Sequence, residues 1–368
     1  MNHSGDAVVV GGGVIGTSIA YYLSKKGVKV TLLERGRVGG QASNVAAGAL
    51  SPPLARDLDP YSRMALLSLA MFPELSYELY ENSGIDIEFS RCGELSLALT
   101  QSDADYFHDL QDSNNEGHIE WIDTLGLKEY QQGISSTVLG ALYESNGGKV
   151  NNQRLSEAYA KAAVNLGADI RPFSEVTGLL RSGLTITGVR TVDSEFHAKY
   201  VILSAGPWTR SLAENVGSNF PMEPVKGVNL CVRPDNLLVT RVLHASWGTL
   251  VPRNDGTLIV GGTIEHMGFD DRVTASSVRD IIELMVAMLP SLESAEVNWA
   301  LAGLRPNSSD DLPLIGNVVP WDGLYVATAH YRNGILLSPI TGRLLSEFVL
   351  GEESELIRHF SPRRFRST

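Results

Sequence analysis

The feature that most constrains this chain is a glycine turn set between a strand and a helix near its start. Ala7 to Val10 is a short apolar run of high strand propensity, Gly11, Gly13 and Gly16 follow at the spacing G-x-G-x-x-G, and Ile19, Ala20 and Leu23 then recur with helical period. Val28 to Leu33 reads as a second strand, and Glu34 ends it 18 residues after Gly16. Strand, tight turn, helix, strand and terminal acid are together the context of a dinucleotide fold. Gly11 permits the turn, Gly13 lets bare backbone approach a pyrophosphate, and Gly16 lets the helix pack against the strand. Val14 and Ile15 open that helix, whose free N–H groups and dipole favour the anion. Glu34 can accept from both ribose hydroxyls and repels a 2′-phosphate, which disfavours NADP.

The residues that follow choose the nucleotide. From Arg35 through Ala42 and Ser43 to Ala47, Gly48 and Ala49 the side chains are mostly small and show little helical pattern. An NAD domain would ordinarily continue into another helix and strand, whereas a loop of Ser, Ala and Gly can lie flat against the ribityl and isoalloxazine parts of FAD. Later, Tyr200 to Leu203 is a strand that runs into Ala205 and Gly206, bringing bare backbone back to the nucleotide edge. Leu324 to Thr328 reads as a buried strand. After it, His330, Tyr331, Arg332, Asn333, Gly334, Ile335 and Leu336 lead into a helix that continues to Val349. A second helix N-terminus supplies partial positive charge, which suits a flavin whose reduced pyrimidine ring is negative.

At 368 residues the chain exceeds one typical core, so two domains are expected. Helices are expected at 61–82, 151–166 and 275–289, with alternating strand patterns at Ile85 to Phe89 and Gly93 to Leu99. Residues 102–131 read as helical and polar, and 221–300 as mostly strands. The expected fold class is α/β: a Rossmann-like FAD-binding domain (1–84, 146–222 and 300–368) with an inserted α+β substrate domain (85–145 and 223–299) on a mostly antiparallel sheet. A formal charge of -12 argues against a nucleic-acid partner. The basic group Arg363, Arg364 and Arg366 reads as a short solvated tail. Cys92 and Cys231 match no metal spacing, so no metal is expected, and such sparse usage fits a reducing compartment. With no basic leader and no stretch of about 18 apolar residues, the expectation is a cytoplasmic protein without a membrane partner.

Five segments carry a resemblance: Gly11 to Gly16 with Glu34, Ala46 to Gly48, Val260 to Glu265 with Gly268 to Asp271, Ala302 to Pro306, and His330 to Leu337. Along its whole length the chain resembles the FAD-dependent D-amino-acid oxidase and sarcosine oxidase superfamily, and within it the glycine oxidases of the thiamine pathway. The resemblance implies oxidative deamination of glycine and other small amino acids by O2, feeding thiamine thiazole synthesis. A D-amino-acid or N-methyl-amino-acid dehydrogenase or oxidase of the same fold is the alternative. It also implies that Val176 meets the flavin nucleotide through its backbone, that Arg305 binds the substrate carboxylate, and that Arg332 stands beside the same pocket with Thr249, Ile264, Ala49 and Ser51. Thr249 stands where these glycine oxidases have a tyrosine. Pro306 to Asp310 contains no cysteine, so FAD is expected to be non-covalent. The resemblance leaves room for a homo-oligomer and for thiazole synthase as downstream acceptor of the imine. His330 reads as a flavin-side backbone position, and His244 and His266, without a partner visible in sequence, as surface or pocket-rim residues.

Overall fold

The computed structural model describes residues 2–54, 59–113, 118–236 and 238–365. Among these, the strands gather mainly into two sheets. The first runs in the order Leu314–Asn317, Leu324–Thr328, Glu195–Leu203, Asn2–Val10, Val30–Leu33 and Asp169–Arg171, with the hairpin Val176–Ser182 and Thr185–Thr191 attached to Glu195–Leu203. Its central ladder is parallel, and Val10 pairs with both Leu33 and Leu203, while Leu203 pairs with Val326. Four strands therefore end level. The glycine turn, Glu34, the Ser204 to Gly206 segment and the approach to His330 all leave the sheet on one edge, the place where ligands of open α/β sheets bind.

Four helices cover this sheet because their apolar faces have nowhere else to go. Ile19 and Leu23 of Val14–Lys25, Phe72 of Pro60–Ser83, Tyr159 of Asn152–Asn165, and Ile340 and Leu345 of Gly334–Val349 share one core. Val14–Lys25 and Gly334–Val349 cross closely: a Cβ on Gly342 would stand 2.1 Å from Ser18 Oγ. That contact aims the N-terminus of the second helix along the edge already served by the first.

The second sheet runs Glu296–Ser308, Met222–Arg233, Leu258–Gly261, Gly248–Pro252, Val242–Ala245, Glu94–Ala98, Gly140–Glu144 and Ile119–Asp123. Its pairings are antiparallel except that between Val242–Ala245 and Glu94–Ala98. Alternation along the strands gives it two unlike faces. Leu95, Val228, Leu230, Leu243, Leu250 and Val260 pack with Ile281, Met285 and Met288 of the helix Ala275–Met288. The residues between them, including Arg305, Gly303, Asn229, Gly261, Thr249, His244 and Glu94, lie on the opposite face.

Some sequence expectations shift. Ile85 to Phe89 alternates but is no strand: Glu88 turns at φ 56°, its carboxylate meets Arg154 at 2.9 Å, and the only ladder contact nearby is the isolated bridge from Ser90 to Lys149. Residues 102–131 are not uniformly helical. Gln101–Ser113 is, but Ile119–Asp123 is an edge strand whose Trp121 packs on His108 and Phe107, its outward Glu120 and Asp123 hiding the pattern. The expected boundary at 299/300 falls inside Glu296–Ser308. Arg364 is no solvated residue: its Nε donates to Asp310 at 2.7 Å and its Nη2 to the Leu312 carbonyl, while Arg363 is exposed and Arg366 lies outside the described residues. No helix among the described residues is long and apolar enough to cross a membrane, and no group of three or more His, Cys, Asp and Glu there is placed to hold a metal.

Candidate active site

A cavity of about 690 Å³ lies where the level strand ends of the first sheet meet the polar face of the second. Its nucleotide end is built from bare backbone. Gly11 turns at φ 105°, and a Cβ there would stand 2.5 Å from the Ser204 carbonyl. Gly13 caps Val14–Lys25 without a side-chain acceptor, and the Val14 N–H donates to Ser43 Oγ at 2.9 Å. Gly16 is not in the lining, since a Cβ there would stand 1.9 Å from the Gly11 carbonyl oxygen; its role is to seat the helix. The Glu34 carboxylate accepts from the Gly12 and Gly36 N–H groups at 2.7 and 2.8 Å, which holds it at the rim of the turn. Beside it the exposed Arg35 guanidinium lies 3.5 Å from the centroid of the Trp208 ring, a cation on an aromatic face. Val14, Ile15, Val176, Ala205 and Gly206 line the same end.

The middle of the cavity is walled by Ala42, Ser43, Ala47, Gly48 and Ala49; the expected loop is not wholly irregular, since Ala42–Val45 makes one helical turn and Ala49–Leu50 pairs with Gly148–Lys149. This loop is pinned from behind by Arg253, whose Nη2 donates to the Ala47 carbonyl at 3.0 Å and to Asn152 Oδ1, and whose Nη1 donates to the Val150 carbonyl at 2.8 Å. Gly48 turns at φ 85° with the Val150 carbonyl 2.2 Å from where a Cβ would be, so no side chain fits between loop and strand. The far wall is the segment His330, Tyr331, Arg332, Asn333, Gly334 and Ile335. Ala329 and Tyr331 hold left-handed φ values of 60° and 46°, a strain that non-glycine residues keep only where surroundings enforce it. His330 is buried with Nε2 3.0 Å from Thr341 Oγ1, and burial pushes its pKa down to about 3, so it is neutral. Leu336 faces the core instead of the cavity. A cradle of glycine backbone, an acid at the ribose position, a flat small-residue wall and a second helix N-terminus fit FAD in shape and in donor set.

The remaining end is a polar pocket. Arg305 is half-buried on Glu296–Ser308, and its Nη1 donates to the Thr263 carbonyl at 2.7 Å. Burial, with the charge of Arg332 adding, pushes its pKa down to about 10, which still leaves a cation at neutral pH. Gly227 makes room for it: a Cβ there would stand 2.0 Å from Nη2. Arg332 is exposed and reaches the Trp247 carbonyl at 3.4 Å. Thr249 and Ser51 line the pocket, and so does His244, whose Nδ1 stands 2.9 Å from Thr249 Oγ1 and whose Nε2 stands 3.0 Å from Ser51 Oγ and 3.2 Å from Glu94 Oε2. His244 is therefore a pocket residue with three partners. His266 is exposed and paired with Glu223 at 3.0 Å. Ile264 is 42% exposed and outside the lining; it lies beyond the end of the strand at Gly261, and it shares the parity of Val260, which faces the helix side, instead of Gly261, which faces the pocket. Cys92 and Cys231 do not line the cavity.

The family model described as FAD dependent oxidoreductase matches residues 6–348. The chain belongs to the FAD-dependent oxidoreductase family. Within this family it is similar to the glycine oxidase of Geobacillus kaustophilus, with 35% identity over 96% of this chain and 95% of that one. The crystal structure of glycine oxidase from Geobacillus kaustophilus superposes with a TM-score of 0.94, covering 99% of this chain and all of the other at 32% identity. A third family relative is the bifunctional protein ThiO/ThiG of Trichormus variabilis, 31% identical over 98% of this chain but only 55% of its own length.

Proposed function

We propose that this family member catalyses oxidative deamination of small amino acids, glycine first: glycine, water and O2 give glyoxylate, ammonia and hydrogen peroxide. The observation that carries this reading is Arg305. One arm of its guanidinium is fixed on Thr263, and the group lines the polar end of a cavity whose other walls fit FAD. A guanidinium fork matches a carboxylate, and holding that carboxylate fixes Cα relative to the cofactor. FAD, when bound, supplies the two-electron acceptor. Glu34 would hold its ribose, Gly11, Gly13, Val14 and Ile15 its pyrophosphate, Val176 and Ala205 to Gly206 its nucleotide half, and the loop Ala42 to Ala49 with His330 to Ile335 its ring system. Arg332, Thr249, Ala49 and Ser51 would complete the substrate pocket.

The same reading divides the chain into an FAD-binding domain (1–84, 146–222 and 300–368) and a substrate domain (85–145 and 223–299), with the strand Glu296–Ser308 running across the 299/300 boundary. It takes FAD as non-covalent, the setting as cytoplasmic and the product imine as able to pass to a thiazole synthase, for which relatives named ThiO/ThiG are support. The test is initial peroxide production with glycine, sarcosine, D-alanine and D-proline, first with oxygen and then with an artificial electron acceptor. Peroxide from glycine supports the reading. Reduction of only the artificial acceptor replaces the oxidase with a dehydrogenase, and inertness toward all four amines ends it.

A further inference from the structure

Ser51, Thr249 and His244 bring hydroxyl and imidazole groups to the pocket that carboxylate recognition by Arg305 does not use. Their arrangement has a direction. His244 and Thr249 are cross-strand partners on one face of the hairpin, and Glu94 lies on the neighbouring strand with its side chain only 3% exposed. An ionised Glu94 can only accept, so the Nε2 proton of neutral His244 points toward it, with Ser51 Oγ sharing that side. The Nδ1 lone pair is then left facing Thr249 Oγ1, which donates its proton to Nδ1 and keeps its own lone pairs free for the cavity.

We propose that the Glu94–His244–Thr249 chain takes the proton from the substrate ammonium. The inference rests on the amino-acid reading above and adds the step that reading lacks. An amino acid reaches the site as a zwitterion, and its amine must be neutral before Cα can give up two electrons to FAD. In the step, one N–H bond of the ammonium breaks and its proton goes to Thr249 Oγ1, while the Thr249 hydroxyl proton goes to His244 Nδ1 and forms the second imidazole N–H bond. The resulting imidazolium is held by the Glu94 carboxylate and later returns the proton to water. No electrons move in this step. Other charged groups bear on His244: Glu144 is the cross-strand partner of Glu94 and stands 3.4 Å from His118, while Arg305 and Arg332 oppose protonation from the carboxylate side of the pocket. Lys149 and Cys92 lie near the same strand end, close enough for each to shift the other's proton affinity.

The experiment follows anaerobic flavin bleaching by low glycine from pH 6 to 10 in the holoenzyme and in His244→Gln, Thr249→Val and Glu94→Gln. The exposed His266→Gln serves as control. In His244→Gln and Thr249→Val the rate should fall at least tenfold at pH 7, then rise about tenfold per pH unit and meet the wild type in alkali, where the free amine needs no acceptor. In Glu94→Gln the acid limb should move to lower pH, because the imidazolium loses its counter-ion. A second measurement, independent of turnover, is calorimetric binding of 2-aminoisobutyrate, which has no Cα hydrogen, in buffers of different ionisation enthalpy. The wild type should bind it without releasing a proton to buffer, and His244→Gln should release one per ligand. A loss in His244→Gln that is equal at every pH, an unshifted profile, or equal proton release by both proteins overturns the proposal. If wild type binds 2-aminoisobutyrate but glycine never bleaches the flavin, the substrate reading falls while the calorimetry still decides this one; failure to bind any amino acid overturns both.

Discussion

Gly227→Ala tests the carboxylate seat without touching a charge. The two strands that hold Arg305 and Gly227 are paired, and a Cβ added to Gly227 would stand 2.0 Å from Nη2 and 2.2 Å from Cζ of Arg305. The backbone of Gly227 is not in the left-handed region, so alanine is accepted there and the guanidinium, the far end of a flexible side chain, is what must yield. To reach ordinary contact it has to retreat by more than 1 Å, which breaks its alignment with the Thr263 carbonyl. Misplacing a positioning group by about 1 Å costs ~10²-fold in rate, or about 2.7 kcal/mol of transition-state binding. The assay is kcat/KM for glycine together with flavin content and Tm. We expect the rate to drop by ~10²-fold with flavin content unchanged. Because the effect passes through the guanidinium, the double variant with Arg305→Ala should be no worse than Arg305→Ala alone. Unchanged kcat/KM in Gly227→Ala, or full additivity in the double variant, would refute the reasoning.

Three further outcomes follow from the cofactor end and from Arg305. Acid precipitation should release all flavin into the supernatant, since Cys92 and Cys231 stand away from the cavity; flavin retained in the pellet would show a covalent bond. Glu34→Ala should raise the Kd for FAD by about 10- to 150-fold, the worth of a charged acceptor at roughly 1.5–3 kcal/mol, and equal retention on dialysis would remove Glu34 from the ribose. Acetate affinity should stay level from pH 7 to 9 and weaken as pH rises through about 10, because the depressed Arg305 cation is then lost; a constant affinity to pH 11 would mean another group holds the carboxylate.

The nucleotide end was legible because its chemistry is local. Each of Gly11, Gly13, Gly16 and Glu34 answers to a neighbour a few residues away or to the backbone itself, and the level strand ends then bring Ala205 and His330 to the same edge. The polar pocket was only half legible. Arg305 was found through a resemblance, but the pair His244 and Glu94 is 150 residues apart in sequence and meets only because two strands of different segments run side by side. Val242–Ala245 is too short to show a period, so nothing in its text says that His244 faces inward. Arg253 was equally hidden. Its partners are carbonyls of Ala47 and Val150 and the amide of Asn152, and carbonyls exist at every residue, so no pattern announces them. Ile264 was placed beside the pocket only through the resemblance, and it lies outside the lining, beyond a strand that stops at Gly261.

The long pairing of Met222–Arg233 with Glu296–Ser308 sets a limit on how proteins of this kind can diversify. Gly303 packs against Ala42 and Val45 of the flavin loop, and two residues along the same face stands Arg305. One inserted or deleted residue between them would turn the guanidinium toward the helix side while Gly303 kept its place. New substrate preferences can therefore arise by exchange of side chains at fixed positions such as Thr249, or by length changes in loops away from this ladder. A change of length between Gly303 and Arg305 disconnects carboxylate recognition from the cofactor in a single step, whereas the bulge beside Cys231 and Val232 shows that the far end of the ladder absorbs an extra residue.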